Sequence, residues 1–230
     1  MVQNQNEKRQ EAPARRQILT AAAREFSDKG FGGARVDAIA ARAHVNKATL
    51  YYHVGNKEAL YGAVLTGVVQ SLTQRLQDSL PRINEPEEKL RVLMKTIGAW
   101  AERHPYLPRI MLREVLSDGK NLPPEAAQAM GRIFGLLRSI LEEGRRSGRF
   151  KDVDPVMGHH LLVVSSVLFA TAQRFRARVI GMLEADLPPE RPLSGSIPEL
   201  SNLVLGGILT YTGRSAPPPS NAPSNPEVPS

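Results

Sequence analysis

The stretch that decides the fold is residues 31–60, which read FGGARVDAIAARAHVNKATLYYHVGNKEAL. Apolar residues at Val36, Ile39, Ala40 and Ala43 follow the i, i+3, i+4, i+7 spacing of an amphipathic helix. This helix is predicted over about 35–43, and a second short helix over about 47–53, with a tight turn at 44–45 between them. Two short helices joined by such a turn form a helix-turn-helix unit.

The residues of the turn agree with this prediction. Asn46 is a favourable N-cap, with its side-chain oxygen placed to accept a hydrogen bond from the Thr49 amide. Val45 and Leu50 have the spacing of a hydrophobic staple. His44 stands where a left-handed residue eases the turn, and histidine is enriched at positive φ.

The second helix divides into a buried face and an exposed face. Leu50 and Val54 share a row and are predicted to pack on Ile39 and Ala40. The remaining residues are free to contact another molecule. Candidate DNA-binding residues in and around this helix are Arg35, Asn46, Lys47, Ala48, Thr49, Tyr51, Tyr52, His53 and Lys57.

These residue types suit a duplex. Lys47 can donate to guanine O6 and N7, while Ala48 or the Thr49 methyl can touch a thymine methyl group. The tyrosine hydroxyls, Lys57 and the first amides of the helix that follows Asn56 suit phosphate oxygens. This layout is typical of a recognition helix that enters the major groove.

The flanking sequence is also helical in pattern. Ile18, Ala22 and Phe26 lie on one i, i+4, i+8 row, and Gly30 is the predicted stop for that helix. A helix of about 23 residues, roughly 35 Å long, is predicted to start near Asn56. Its apolar row is Leu60, Val64, Val68, Leu72 and Leu76.

The rest of the chain predicts further helices and almost no strand. Helices are expected at about 86–103, 105–118, 123–147, 155–180 and 196–212, with a proline-containing loop over 187–198. The fold class is therefore all-α. The predicted organisation is a flexible N-terminus over 1–10, a helix-turn-helix domain over 11–60, a helical domain over 61–214 and a disordered proline-rich tail over 215–230.

Composition and charge narrow the function classes. The 230 residues include no cysteine, which excludes disulfides, thiolate metal sites and cysteine nucleophiles. The net charge is +7, and residues 1–60 hold ten basic and six acidic residues, a net of +4. The denser positive charge of the first quarter suggests a polyanionic partner. With no apolar N-terminal region and no apolar run near 20 residues, the protein is expected to be soluble and cytoplasmic.

Signatures of enzymes and metal sites are missing from the sequence. It contains no P-loop, no G-x-G-x-x-G and no G-x-S-x-G motif. His159 and His160 are adjacent, so on a helix they diverge by about 100° and cannot share one metal ion as i, i+4 ligands would. No enzymatic activity, cofactor or metal is therefore expected. A basic cluster at Arg145, Arg146, Arg149 and Lys151 is interpreted as a solvated helix end, with an anion site as the alternative.

Residues 15–64 resemble the DNA-binding domain of the TetR (tetracycline-repressor-like) family of bacterial regulators. The matching residues are Phe26, Gly30, Val36, Ile39, Ala40, Ala43, Val45, Lys47, residues 49–53 (TLYYH) and residues 56–60 (NKEAL). The departures are His44 and Ala48, where the family usually has smaller or cyclic residues, Val54 in place of a frequent Phe, and Arg35 at the usual Ser/Thr cap.

The resemblance implies a function. Members of the family are homodimers that bind palindromic operators, most often as repressors. Their later helices form a ligand pocket, and the last two, here 155–180 and 196–212, pair across the dimer axis. Ligand binding changes the spacing of the two recognition helices and usually releases the DNA.

Six residues of the second domain are pocket-lining candidates, although plain core is the commoner role for each. They are Trp100, His104, Met111, Phe134, Leu137 and Phe169. A lining of this kind predicts an apolar or amphipathic organic ligand. Glu114 is the one carboxylate candidate, although a solvated helix face is its simpler role.

The leading hypothesis is thus a ligand-responsive, sequence-specific transcription regulator, most simply a repressor that binds double-stranded DNA as a homodimer and is released by a small effector. The alternative is an all-helical protein-interaction module whose helix-turn-helix does not read DNA sequence. Sequence-specific DNA binding separates the two.

Overall fold

A computed structural model describes residues 2–182 and 192–210 of the chain. The regular elements in these ranges are helices, and the one β-bridge pairs Phe150 with Leu209. The all-α fold class is therefore confirmed. The helices are α1 Val2–Gly33, α2 Val36–Arg42, α3 Lys47–Val54, α4 Lys57–Ser79, α5 Pro86–Arg103, α6 Leu107–Leu116, α7 Pro124–Arg146, α8 Pro155–His159, α9 Ser165–Thr171, α10 Gln173–Ile180 and α11 Leu193–Ile208. The predicted tail over 215–230 lies outside the described residues.

The first three helices enclose one small core. Ile18 and Phe26 of α1, Ile39 of α2 and Leu50 of α3 are all fully buried. Gly30 interrupts α1 with φ 71° and ψ 174°, a conformation that glycine adopts without strain, so the predicted helix stop is confirmed. α1 therefore packs against α2 and α3 and supports the helix-turn-helix.

The N-terminal end of α1 differs from the expectation for residues 1–10. The structure begins this helix at Val2, where the sequence analysis expects a flexible segment. Residues 2–12 contain no glycine or proline and include glutamate, lysine, arginine and glutamine, all good helix formers. Helix propensity is a local reason for the extension past Pro13.

The long helix α4 connects the first three helices to the rest of the molecule. It spans 23 residues, as its pattern predicts. Its buried residues include Leu60, Val64, Leu72 and Leu76. α4 packs on α1 near its start and on α7 further along. α4 therefore packs both on the N-terminal helices and on a later helix of the chain.

The C-terminal helices are more divided than expected. The predicted continuous helix over 155–180 is wrong, since it is split into α8, a π-helical turn at His160–Val164, α9 and α10. The break between α9 and α10 falls at Ala172, with φ −84° and ψ 0°. A π turn inserts one extra residue into a helical turn, and hydrophobic periodicity alone does not reveal it.

The last helix begins earlier than expected. α11 starts at Leu193, inside the predicted loop over 187–198, and it contains Pro198. Its buried face packs closely on α5, because Gly98 has no side chain where Ile197 approaches: a β-carbon there would lie 2.8 Å from Ile197 Cγ1. Burial of Leu193 and Ile197 therefore outweighs the local helix-breaking tendency of the proline.

Gly144 and Gly135 of α7 form a matched pair for a test of the packing. A methyl group at Gly144 would overlap the Phe150 ring, whereas one at the exposed Gly135 would meet no atom within 4 Å. We expect Gly144→Ala to lower the free energy of unfolding by about 1–3 kcal/mol through overpacking. We expect Gly135→Ala in the same helix to raise it by about 1 kcal/mol through helix propensity. Urea denaturation followed by circular dichroism measures both, and equal effects would contradict the packing.

Candidate nucleic-acid interface and apolar cavity

The turn of the helix-turn-helix has the predicted chemistry. The Thr49 amide donates to Asn46 Oδ1 at 2.7 Å, which caps α3. His44 has φ 54°, so it occupies the left-handed region. A second cap of the same kind starts α4, where the Ala59 amide donates to Asn56 Oδ1 at 2.7 Å. These two caps fix where the recognition helix begins and where the next helix leaves it.

Helix α3 presents one face to solvent. Leu50 is buried and Val54 is 9% exposed, so these two hold the helix on its domain as predicted. Tyr52 is 77% exposed and Tyr51 46% exposed. Of the other DNA-binding candidates, Arg35, Asn46, Lys47 and Ala48 are exposed, while Thr49, His53 and Lys57 are half-buried. The nine candidates therefore lie on or beside one accessible surface.

Two lysines in this surface have partners that the sequence analysis missed. Lys47 forms an ion pair with Asp37 of α2. Lys57 donates to the Gly32 carbonyl oxygen at 3.4 Å, and its Nζ lies 4.9 Å from the centre of the Phe31 ring. These contacts orient both ammonium groups at the protein surface. They join residues of separate elements, so the helical spacing of the sequence does not predict them.

Arg35 precedes α2 without capping it. Its backbone is extended, with φ −113°, and its side chain makes no cap hydrogen bond. Arg35 therefore does not supply the cap that a Ser or Thr side chain usually provides at this position. The exposed guanidinium stays available for a phosphate oxygen.

An apolar cavity of about 180 Å³ lies in the second domain. Side chains from α4 to α9 and from the π turn line it. The lining residues are Val69, Leu72, Ile97, Trp100, Met111, Leu112, Val115, Met130, Ile133, His159, Val163, Val164, Val167 and Leu168. Aliphatic, aromatic and thioether groups make up almost all of this surface, which favours an apolar ligand.

Trp100 and Met111 are the two pocket candidates that line this cavity. The other four lie elsewhere. The His104 ring packs beside Trp100 with ring centres 5.9 Å apart, and the Phe134 ring packs edge-on against His159 at 5.6 Å. Leu137 is fully buried in the core. Phe169 lines a different cavity and carries the Arg176 guanidinium 3.8 Å above its ring.

His159 is the polar group of the cavity lining that remains open to a ligand. The indole nitrogen of Trp100 already donates to the Val68 carbonyl oxygen at 3.2 Å. Burial lowers the pKa of His159 below its usual 6.5, and the neighbouring His160 lowers it further. A neutral imidazole offers one donor and one acceptor to a ligand. Sequence analysis considered His159 solely as a metal ligand, and no pattern indicated its place in a cavity.

The expectation that Glu114 lies on a solvated helix face is wrong. Glu114 is 3% exposed. The Tyr61 hydroxyl donates to Glu114 Oε1 at 2.5 Å, and the backbone N–H of Asn121 donates to Glu114 Oε2 at 3.1 Å. Burial and the nearby carboxylate raise the pKa of Tyr61 above its ordinary value, so the phenol keeps its proton and remains a donor. The carboxylate thereby ties α6 to α4.

Three residues of the basic cluster near the end of α7 have acidic partners, and the fourth, Lys151, donates to the Gly207 carbonyl oxygen at 3.0 Å. Arg145 forms a two-bond pair with Glu142, whose pKa is lowered by these hydrogen bonds. Arg149 pairs with Glu85 and Glu87. These ion pairs, exposed to solvent in the main, fit the predicted solvated helix end.

The described residues contain neither a membrane-spanning helix nor a cluster of metal ligands. No helix in the part of the chain that the structure covers is long and apolar enough to cross a membrane. Within the same ranges, no three histidine, cysteine, aspartate or glutamate side chains are grouped to hold a metal ion.

A helix-turn-helix joined to a helical domain with an apolar cavity defines a class: ligand-responsive, DNA-binding transcription regulators. Comparisons with known proteins agree. Residues 18–64 match the family described as "Bacterial regulatory proteins, tetR family", and residues 86–189 match "Tetracyclin repressor-like, C-terminal domain". The chain belongs to the TetR family of bacterial regulators.

Individual relatives support this assignment. The HTH-type transcriptional repressor NicS of Pseudomonas putida is 30% identical over 193 residues, covering 83% of this chain and 90% of NicS. The fatty acid degradation regulator FadR of Bacillus halodurans has the same fold, with a TM-score of 0.68 at 20% identity over 85% of this chain and 96% of FadR. The ketosteroid regulator KstR2 of Mycobacterium tuberculosis gives 0.68 at 21% identity, over 86% and 95%. Family membership favours the regulator over the protein-interaction module.

The DNA interface makes a prediction that separates base contacts from phosphate contacts. We expect Lys47→Ala to relax base preference at one operator position, because a lysine ammonium can donate to guanine O6 and N7. We expect Lys57→Ala to weaken binding to all sequences alike and to lower the salt slope by about one. Fluorescence anisotropy at several salt concentrations measures both, with the exposed Lys95→Ala on α5 as the control. Equal loss on all sequences for Lys47→Ala would contradict its role.

The lowered pKa of His159 predicts a pH-dependent stability. Its folded pKa lies below the unfolded value of 6.5, so the unfolded state binds more protons as pH falls through that value. Stability is therefore fully present above this range and declines with acidification. We expect His159→Gln to flatten the fall in the free energy of unfolding between about pH 8 and about pH 5, with His53→Gln on α3 as the control. An unchanged profile would show that His159 titrates normally.

Proposed function

We propose that this protein is a repressor that binds a palindromic operator as a homodimer and releases it when a small apolar or amphipathic ligand enters the cavity. The repressor assignment follows the relative NicS, an HTH-type transcriptional repressor at 30% identity. We also propose the functional division into a DNA-binding unit over 11–60 and an effector-binding and dimerisation unit over 61–214.

One observation carries this proposal: α6 contacts the cavity and the DNA-binding unit at the same time. Met111, Leu112 and Val115 of this helix line the cavity. Between them in sequence, Arg113 donates from Nε to the Ser27 carbonyl oxygen at 3.3 Å and from Nη2 to the Asp28 carbonyl oxygen at 3.1 Å, both at the end of α1.

The adjacent residue of α6 makes the second connection. Glu114 accepts the hydrogen bond of Tyr61, which lies one turn after the start of α4. Tyr61 also packs edge-on against Phe26, with ring centres 4.8 Å apart. A ligand that displaces α6 must therefore move α1 and α4 with it or break these bonds. The ligand shifts the population of DNA-binding forms by its difference in affinity for them.

An exposed apolar face supports the homodimer. Large hydrophobic side chains along the C-terminal helices are at least 40% exposed, which is costly for an unpaired surface. They are Val156, Met157, Leu161, Leu168, Phe175 and Val179. Pairing of two such faces would place two recognition helices on one side of the dimer. Half-sites about 34–36 Å apart, one turn of DNA, fit such a pair.

The cavity sets the class of the ligand. Its volume of about 180 Å³ suits a small molecule, and its lining offers hydrocarbon contact over almost the whole surface. A single hydrogen-bonding group at His159 can hold one polar atom of the ligand. Uncharged or weakly polar organic compounds are therefore the effectors that this cavity favours.

Selection from a random pool of double-stranded DNA, followed by sequencing, tests the proposed function. We expect enrichment of a palindrome bound by two chains. The enriched duplex then serves as the probe in a screen of small apolar compounds for release. The variant Val167→Phe narrows the cavity, so we expect it to keep its affinity for DNA and lose its response to the releasing compound.

Three results of these experiments contradict parts of the proposal. Failure to enrich any sequence at low salt, where phosphate contacts are strongest, contradicts sequence-specific binding. Enrichment of a non-palindromic site bound by one chain contradicts the dimer. An unchanged ligand response in Val167→Phe contradicts the cavity as the effector site.

A further inference from the structure

A second cavity, distinct from the apolar one, lies where the DNA-binding unit meets the second domain. Its volume is about 290 Å³. It is lined by Arg24, Ser27, Asp28, Pro105, Tyr106, Arg109, Ala170 and Thr171. These residues come from α1, from α6 and the loop before it, and from the end of α9. None of them lines the apolar cavity.

Two arginines supply the positive charge of this cavity. Arg24 is exposed and Arg109 is half-buried, and within residues 2–182 and 192–210 neither forms an ion pair. The arginines near the end of α7, by contrast, are paired with glutamates. Asp28 is the one acidic group of the lining. Two guanidinium groups against one carboxylate leave a net positive cavity.

A buried hydroxyl is the second observation at this site. Ser27 is 1% exposed, and its Oγ has no hydrogen-bond partner among the described residues. The backbone of the same residue is satisfied, since its carbonyl oxygen accepts from Arg113. Serine in a helix usually bonds back to a carbonyl one turn earlier, as Thr73 does here to Val69. An unpaired buried hydroxyl in a cavity wall is costly unless a ligand satisfies it.

We propose that this cavity binds a small organic oxyanion, a molecule that carries a carboxylate or phosphate group. The planar guanidinium groups of Arg24 and Arg109 suit either group through paired hydrogen bonds. The Ser27 hydroxyl donates a further bond to the oxyanion, and Asp28 accepts from a hydroxyl or amine elsewhere on the ligand. Tyr106, half-buried at the edge, supplies an aromatic wall.

A free small molecule fits this cavity better than a phosphate of bound DNA. Five of the eight lining residues belong to the second domain: Pro105, Tyr106, Arg109, Ala170 and Thr171. The residues that face DNA lie on and beside α3, and none of them lines the cavity. A ligand held by α1 on one side and by α6 and α9 on the other would join the two domains. Its effect on operator affinity rests on the proposed function, while its binding does not.

Isothermal titration calorimetry of the full chain without DNA tests the proposal. The probes are inorganic phosphate, glycerol 3-phosphate and succinate, with uncharged succinamide as the negative control. We expect one of the oxyanions to bind with one site per chain, and the pattern among the three separates phosphate from carboxylate recognition. We expect Arg109→Gln and Arg24→Gln each to weaken binding by about tenfold or more, and the exposed Arg138→Gln on α7 to leave it unchanged.

A further variant tests the hydroxyl. Ser27→Ala removes an unpaired buried polar group, so we expect an unchanged or higher Tm without ligand, together with weaker oxyanion binding. This combination is one that a structural role for Ser27 would not produce. Absence of binding by all three oxyanions at millimolar concentration overturns the proposal. Equal binding by Arg109→Gln and wild type, or a lower Tm with unchanged binding for Ser27→Ala, overturns it as well.

Discussion

The buried hydrogen bond between Tyr61 and Glu114 is the interaction on which the arrangement of the two domains depends. A carboxylate that is 3% exposed is costly unless its oxygens are bonded, so α4, α6 and Asn121 must meet at one point. Tyr61 adds packing against Phe26 and Phe31, with ring centres 4.8 and 5.1 Å away. Polar and aromatic contacts thus fix the same tyrosine, and through it the start of α4 relative to the core of the first three helices.

From this point the structure extends in two directions. Toward the DNA-binding surface, the Asn46 and Asn56 side chains each cap a helix, which fixes where α3 and α4 begin. Toward the second domain, α4 contributes Val69 and Leu72 to the apolar cavity. The cavity and the recognition helix are therefore two ends of one continuous packing arrangement. α6 makes the same connection, since Met111, Leu112 and Val115 line the cavity while Arg113 bonds to the end of α1.

The sequence predicted those parts of the molecule that local chemistry determines. The cap at Asn46, the left-handed His44 and the buried Leu50 follow from residue type and spacing, because each depends on neighbours within a few positions. The burial of Glu114 and the placement of His159 depend on partners from distant helices, which a single sequence does not reveal. The π turn at His160–Val164 was missed for a related reason, since it keeps the apolar pattern while changing the backbone.

The separation of the two surfaces has an evolutionary consequence. No residue of the apolar cavity is among the nine candidate DNA-binding residues, and the connection between the two sets runs through the backbones and few polar contacts of α4 and α6. Changes of a cavity side chain that keep its volume leave the cap residues and the exposed face of α3 untouched. Changes on α3 leave the cavity untouched in turn. Descendants of such a chain can acquire a new chemical signal or a new set of genes one at a time, without having to invent both together.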